Sequence, residues 1–346
     1  MAIHDLKQLA VGERLQHAFL VWDVQTRSYG GDKDCTVLTL SNASGRIESA
    51  PFWGADQQRV AGISKGLVAQ VIGEIGEFRG KRQLCISSIR ALPEGQVDLS
   101  DLLPSVGSTE QYWRKLDEWR HAMRGPRLRT VLGLFFDDDE FRRRFEQCPA
   151  SPVGHHAELG GLLKHVAEVA AIGRTIAKVS RGDEDLVLAG ALLHDIGKLE
   201  CYTWNGIFEY TDVGRLCGHV VLGSLMFDRR LRECTPAPCL DGEADLIQHM
   251  ILSHHGKEEF GAAVRPMTLE AEILHYADNA SAKSASMAEV LGDPTNFTAE
   301  ALVTSRKPWQ LDGRRGYRGR FDWGREVGQP GRREDGKPGR REELEE

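Results

Sequence analysis

The chain has 346 residues, 41% of them hydrophobic, and a formal net charge of -7. That length suggests about two domains with ordinary packed cores, and the acidic balance excludes a general nucleic-acid coat while leaving room for a local basic channel. No stretch approaches the ~20 apolar residues of a membrane span, and the amino terminus lacks a charged start followed by an apolar core, so a cytoplasmic protein with no membrane partner is expected. The 7 cysteines are scattered and form no CxxC pair, which indicates neither a disulfide framework nor a zinc knuckle.

From Leu15 to Leu92 the pattern is strand-like. The runs "AFLVWDV", "CTVLTLS", "GRIESAPFW", "LVAQVIGEI" and "RQLCISSIRAL" are separated by Gly, Asn, Asp and Ser turns, with a helix-tolerant segment "GADQQRVAGISKG" between the third and fourth. This order predicts an OB fold, a Greek-key barrel of five strands whose face and loops commonly hold single strands. Trp22, Tyr29, Phe52, Trp53 and Phe78, with Arg27, Lys33, Arg46, Arg79, Lys81 and Arg82, can supply base stacking and phosphate contacts. Half or more of these aromatics are expected in the barrel core, and adjacent Phe52 and Trp53 cannot both point inward. Trp53 and Lys81 are the candidate substrate contacts here.

Beyond Pro93 the acidic, turn-rich "EGQVDLSDLLPSVGS" leads into helical text, "TEQYWRKLDEWRHAM" and "DDDEFRRRFEQC". From His156 to about Val303 the helical period dominates and predicts an all-α domain. The Gly-, Arg- and Glu-rich text from Gly313 onward has too little apolar surface to offset ordering entropy and predicts disorder. The expected organisation is a barrel over 1–95, a linker with connecting helices over 96–154, a helical domain over 155–303, and a disordered tail over 304–346.

The helical domain sets its histidines on helices rather than loops. His165 follows Leu162 by three and precedes Val169 by four; His194 ends the apolar run "LAGALL"; His254 and His255 follow Met250 and Ile251; Asp278 lies four beyond Leu274. Each imidazole borders an inward stripe, and burying so many polar rings without partners costs ~1 to 3 kcal/mol apiece. For a single histidine, a hydrogen-bonded structural role is the ordinary reading. The ordered set of His165, the adjacent His194 and Asp195, His219 after a turn, the His254/His255 doublet and Asp278 reverses it, giving enough ligands for two metals. A mixed His/Asp set accepts several divalent ions.

The stretches "HHAELGGLLKH", "LLHDIGKLE", "YTDVGRLCGHVVLG", "SHHGKEEFGAAVRPMTLEAEILH" and "DNASAK" resemble the HD superfamily of metal-dependent phosphohydrolases. More narrowly the chain resembles the YhaM-type 3'-to-5' exoribonucleases, which join an amino-terminal OB domain to an HD domain; the likeness runs from about Ala18 to Lys283. It implies a principal metal site of His165, His194, Asp195 and Asp278, and second-site positions at His219, His254 and His255 with Asp195 bridging. It implies two divalent ions, manganese first, with magnesium, iron, cobalt or nickel as alternatives. Ala280 and Ser281 depart from the family pattern, where a bulkier residue and an acid often stand.

Asp195 and Lys198 are the expected catalytic pair, Lys198 as a point charge toward a phosphate oxygen. His156 and Arg265 are further candidates for substrate phosphate contacts, Gly160 and Gly161 for close backbone approach, and Glu258 and Glu259 for orienting an imidazole. The expected activity is 3'-to-5' hydrolysis of single-stranded RNA, or DNA, to mononucleotides, with homo-oligomerisation compatible. The alternatives are a phosphohydrolase of small nucleotides and a non-catalytic single-strand-binding factor retaining a structural metal.

Overall fold

A computed structural model describes residues 6, 8–28, 34–93, 95–97, 99–204, 206–298 and 300–319. Tyr29, Lys33 and the tail from 320 onward lie outside the described residues.

The amino-terminal part is an antiparallel sheet built on one long strand, β1 (Arg14–Ser28). Its first half pairs with β5 (Val68–Phe78), from Arg14↔Glu74 to Leu20↔Val68, and its second half with β2 (Asp34–Asn42), ending at Ser28↔Asp34. An irregularity between Val21 and Asp23 turns the strand from one partner to the other. β3 (Gly45–Glu48) and the two-residue β4 (Phe52–Trp53) both pair with β2, and β6 (Lys81–Ala91) pairs with β5. The strand order is β3-β2-β1-β5-β6, and its two edges meet through one parallel bridge, Ser49↔Leu84, where the Ala50 N–H donates to Leu84 O at 2.9 Å. The helix-tolerant segment is a 3₁₀ turn over Gly54–Val60, as the OB order requires. The five expected runs thus appear with the third split in two, and the sheet curls almost to closure.

Alternation along β1 explains its unbroken apolar text. Phe19 and Val21 enter the barrel core with Leu38, Leu40, Val71 and Leu84. Ala18, Leu20 and Trp22, on the other face, pack against Leu102, Leu103 and Phe208 outside the barrel. Both faces are buried, so the run carries no polar alternation.

The segment 96–154 does more than connect. α1 (Glu110–His121), α2 (Pro126–Phe136) and α3 (Asp139–Gln147) send Trp113, Leu116, Phe135, Phe136, Phe141 and Phe145 into the same core as Leu162, Leu163, Leu188 and Phe227. The helical core therefore begins at Trp113, earlier than the expected boundary at 155, because these aromatics have no other apolar surface to cover them.

The rest comprises α4 (Gly161–Ser180), α5 (Glu184–Leu193), the single turn α6 (Lys198–Cys201), α7 (Asp212–Arg232), α8 (Asp241–Ser253) and α9 (Leu269–Gly292). Asp183, Thr211 and Thr268 cap α5, α7 and α9 by accepting backbone N–H bonds. A two-residue ribbon, β7 (Tyr202–Thr203) with β8 (Glu209–Tyr210), interrupts the expected all-α text and carries Phe208 to Trp22 of the barrel.

Residues 304–319, placed by the sequence in a disordered tail, are ordered against the helices: Thr304 and Leu311 are buried, and Gly316 lies against Leu291. Three local anchors, Thr304, Leu311 and the Lys283–Asp312 pair, substitute for the missing aliphatic run.

Candidate metal centre

Two helices end in the same device. α5 stops at His194 and α8 at His254, and each imidazole donates Nδ1–H to the carbonyl three residues back, Ala191 O and Ile251 O, both at 2.8 Å. A carbonyl can only accept, so Nδ1 carries the proton and Nε2 presents a lone pair. His255 Nδ1 is held likewise by Phe260 O at 2.7 Å. These anchors explain why the histidines stand at the ends of apolar helices: the terminal turn supplies the free carbonyl that fixes the tautomer.

His194 and His254, together with His165 and His219, face Asp195. Its Oδ2 lies 3.1 Å from His194 Nε2, 3.4 Å from His165 Nε2 and 2.6 Å from Lys198 Nζ. Its Oδ1 lies 3.4 Å from His219 Nε2 and 3.8 Å from His254 Nε2. Asp278, reaching in from α9, stands 3.1 Å from His165 Nε2. Two groups that could hold a metal ion result, His165 with His194 and Asp195, and His219 with His254 and His255, with the two oxygens of Asp195 turned one to each.

Two glycines bring His219 there. Gly218 breaks α7 with φ 73° and ψ 156°, a conformation that favours glycine, so the helix restarts at His219 with its ring re-aimed. Gly197 lets the backbone of that restart come close: a Cβ at 197 would stand 2.0 Å from His219 O and 2.4 Å from Gly223 N. The "HDIGK" glycine is required by the approach of α7.

Burial and charge divide the histidines. Burial favours the neutral form of His165, but the carboxylates of Asp195 and Asp278 outweigh it and raise its pKa to about 9. Burial lowers His219 to about 3 and drives His254 well below its ordinary value. Against the opposing effect of burial, His194 and Lys198 hold the Asp195 carboxyl well below the usual range, and His165 does the same for Asp278. Asp195 in turn raises Lys198, although burial opposes it.

A shared metal fits this donor set. His194 Nε2, His219 Nε2, His254 Nε2 and Asp195 Oδ1 are buried with no hydrogen-bond partner, and His194 is wholly inaccessible. Four aimed, unpaired polar atoms in one cluster are costly unless something binds them, and imidazole with carboxylate is a borderline-hard set suited to divalent transition ions.

The groups that orient an imidazole are Ser281 and Glu168 rather than the expected Glu258 and Glu259. His165 Nδ1 lies 3.1 Å from Ser281 Oγ, which donates to Glu168 Oε2 at 2.8 Å, so the His165 Nδ1–H is the donor in the first of these bonds. His156 Nε2 reaches the same Glu168 oxygen at 3.1 Å. Glu168 sits three residues past His165 and Ser281 three past Asp278, helical spacings that were available as a signal. His275 similarly donates Nδ1–H to His254 O at 2.9 Å.

Several expected substrate contacts are otherwise engaged. His156 is bound to Glu168, and the close approach of Gly161 is to the His156 carbonyl rather than to a ligand. Arg265 pairs with Glu258 at 3.0 Å on the exposed surface, so that carboxylate orients a guanidinium and not an imidazole. Glu259 faces Lys257 at 3.5 Å. On the barrel, Phe52 is buried and Trp53 is 45% exposed, while Lys81 and Arg27 both pair with Glu48, at 2.8 and 3.1 Å. Trp22 is closed off beneath the Arg46 guanidinium, 3.3 Å from its ring centroid, and beside Phe208 at 5.2 Å. Phe78, 60% exposed with Arg79 over its ring, is the open aromatic at the β5–β6 turn.

The helical architecture and the His/Asp cluster define an HD-domain protein, and the HD domain family model matches residues 162–283. The 3'-5' exoribonuclease YhaM of Geobacillus sp. (strain WCH70) is 32% identical over 276 residues, covering 79% of this chain and 83% of the relative. YhaM of Bacillus subtilis (strain 168) is 30% identical over 284 residues, covering 81% and 88%, and that of Oceanobacillus iheyensis 31% over 303 residues, covering 86% and 93%. No solved structure matches. The chain belongs to the family of the YhaM 3'-5' exoribonucleases.

Proposed function

We propose that this protein is a metal-dependent exonuclease that hydrolyses single-stranded RNA from the 3' end to mononucleotides. The observation that carries this reading is the convergence of free imidazole nitrogens on both oxygens of buried Asp195. His165, His194, Asp195 and Asp278 are the proposed ligands of one divalent ion, and His219, His254 and His255 with Asp195 those of a second; manganese is the first candidate. Ions bound there supply positive charge that acidifies an attacking water and offsets charge on the phosphodiester.

The chain's own residues do the rest. Asp195 offers one oxygen to each group of histidines and fixes their separation. Lys198, a buried cation 2.6 Å from Asp195, adds a point charge beside that carboxylate for a phosphate oxygen. The Nδ1 anchors of His194, His254 and His255 hold each ring in the tautomer whose Nε2 is free and aimed, which removes reorganisation at the moment of reaction. The barrel supplies the strand grip, with Trp53, Phe78 and Arg79 as the accessible contacts and Lys81 acting beside Glu48. Among the described residues no helix is long and apolar enough to cross a membrane. The 7 cysteines are all free thiols, as suits the cytoplasm, where we place the protein.

Single-stranded RNA labelled at either end and incubated with protein and manganese tests the activity. Labelled mononucleotide released at once from the 3' label, with 5'-labelled products shortening stepwise, is the expected result. Asp195→Asn is expected to abolish release while leaving strand binding in place. Intact RNA under all metals tried, or hydrolysis confined to free mononucleotides, refutes it.

A further inference from the structure

A cavity of about 170 Å³ lies beside the ligand cluster, walled by Gly154, His155, Lys283, Ser286, Trp309 and Gln310. It is adjacent to the proposed reaction centre on two counts. The His155 ring centroid is 6.4 Å from that of His165. On α9, Asp278, Ala282 and Ser286 follow at intervals of four and share one face; the last two line the cavity, ~6 and ~12 Å along the axis from Asp278. A ligand whose phosphate lies at the cluster can therefore place its next group in this space.

The walls indicate what that group is. Trp309 is 66% exposed, and its indole packs against the backbone of Gly154, where a Cβ would stand 3.0 Å from the ring. A glycine at 154, with φ +95°, supports the ring from behind while the rest stays open. Lys283 and Asp312, also on the wall, pair with each other at 2.5 Å, so this lysine is already engaged by a carboxylate. His155 Nδ1 and Ser286 Oγ, 3.4 Å apart, add neutral hydrogen-bonding groups at the inner end. The volume falls below the ~300 Å³ at which drug-sized pockets begin, enough for one ring system.

We propose that this cavity seats the base of the 3'-terminal nucleotide, stacked on Trp309, while its phosphodiester lies at the metal cluster. The assignment rests on the exoribonuclease reading above. It gives residues 304–319 a use, since they bring Trp309 to the cavity, and it suits an enzyme that removes nucleotides in succession, because every base has a face to stack.

The test uses the full-length, metal-loaded protein and three RNAs: one intact, one abasic at the 3'-terminal position, one abasic at the penultimate position. Trp309→Leu is expected to lower kcat/KM on the intact strand by about 10- to 100-fold, the equivalent of one lost base–aromatic stack. On the terminally abasic strand wild type falls by a similar factor and the variant falls no further. Trp309→Phe, which keeps an aromatic face, retains most of the rate and controls for folding of the segment. No loss in Trp309→Leu, an equal loss on the terminally abasic strand, or a loss that follows the penultimate base overturns the proposal. Calorimetric binding of a nucleoside 5'-monophosphate against ribose 5-phosphate reads the same stack without turnover: wild type prefers the nucleotide and Trp309→Leu does not. Preserved preference in a protein that releases nothing from RNA defeats the exonuclease reading alone; absent preference defeats the cavity assignment.

Discussion

Ser281→Ala removes one hydroxyl from the middle of the chain His165–Ser281–Glu168–His156. The His165 Nδ1–H loses its acceptor at 3.1 Å, and Glu168 keeps only His156. His165 is 2% exposed, so water cannot replace the lost partner, and a buried donor left unpaired costs about 1 to 3 kcal/mol. That cost falls on the metal-free fold. With metal the consequence is larger in kind, because an imidazole freed at Nδ1 can take the other tautomer and point a proton at the ion. Loss of such a support weakens metal affinity by about 10- to 100-fold, or roughly 1.4 to 2.8 kcal/mol. Titration calorimetry with manganese at fixed pH measures this directly. Ser281→Thr, which restores the hydroxyl, is expected to recover most of the affinity. An alanine variant that binds manganese within twofold of wild type refutes the proposed role of Ser281 in holding His165.

Gly218→Ala forces a left-handed backbone on alanine, a cost of about 1 kcal/mol or more, and swings His219 off Asp195; the expected result is loss of one manganese equivalent by calorimetry with the other retained. Gly197→Ala drives a Cβ into the His219 carbonyl, backbone against backbone, and is expected to cost about 3 kcal/mol in a urea melt. In the metal-free protein, His165 has a folded pKa near 9, above its unfolded ~6.5, so its stabilisation is complete below pH ~6.5 and lost as pH rises through 9. His219, held near 3, destabilises in the opposite direction as pH falls from ~6.5, so these two groups place maximum stability near pH 6.5; urea midpoints that climb steadily from pH 6.5 to 9 would contradict this. Arg265→Ala, which breaks only an exposed pair, is expected to leave the melting temperature and the turnover of RNA unchanged.

What the sequence made legible was what periodicity and ligand chemistry encode. The strand runs and their order gave the barrel, and His165, His194, Asp195, His219, His254, His255 and Asp278 meet in one cluster. Features depending on surface allocation were less visible. The run "AFLVW" does not say that its outer face is taken by Phe208 and Leu102, so the sequence leaves Trp22 open between stacking and packing, and it is a domain contact. Lys81 and Arg27 read as phosphate contacts because nothing in the text reveals that both share Glu48 across three strands. Ser281 reads in the sequence only as a departure from the family pattern, and its bonds to His165 and Glu168 depend on a packing of α4 on α9 that residue type alone does not reveal.

The ordered segment 304–319 shows why composition misleads at a domain edge. Disorder follows from too little apolar burial per ordered residue, but that sum assumes the segment builds its own core. Here α9 is already ordered by the main core, through Ala271, Leu274 and Ala277, and it continues past them to Leu291. A polar segment then needs only a few anchors, supplied by Leu311, Thr304 and the Asp312–Lys283 pair. The same helix carries Asp278 to the ligand cluster, Ser281 to the support of His165, and Ser286 to the cavity wall. The His/Asp cluster, the Ser281 support and the cavity are therefore registered by one helix. A change that shifts α9 along its axis displaces all three together, whereas a change at α7 acts through His219 and through the packing of α7 on Gly197.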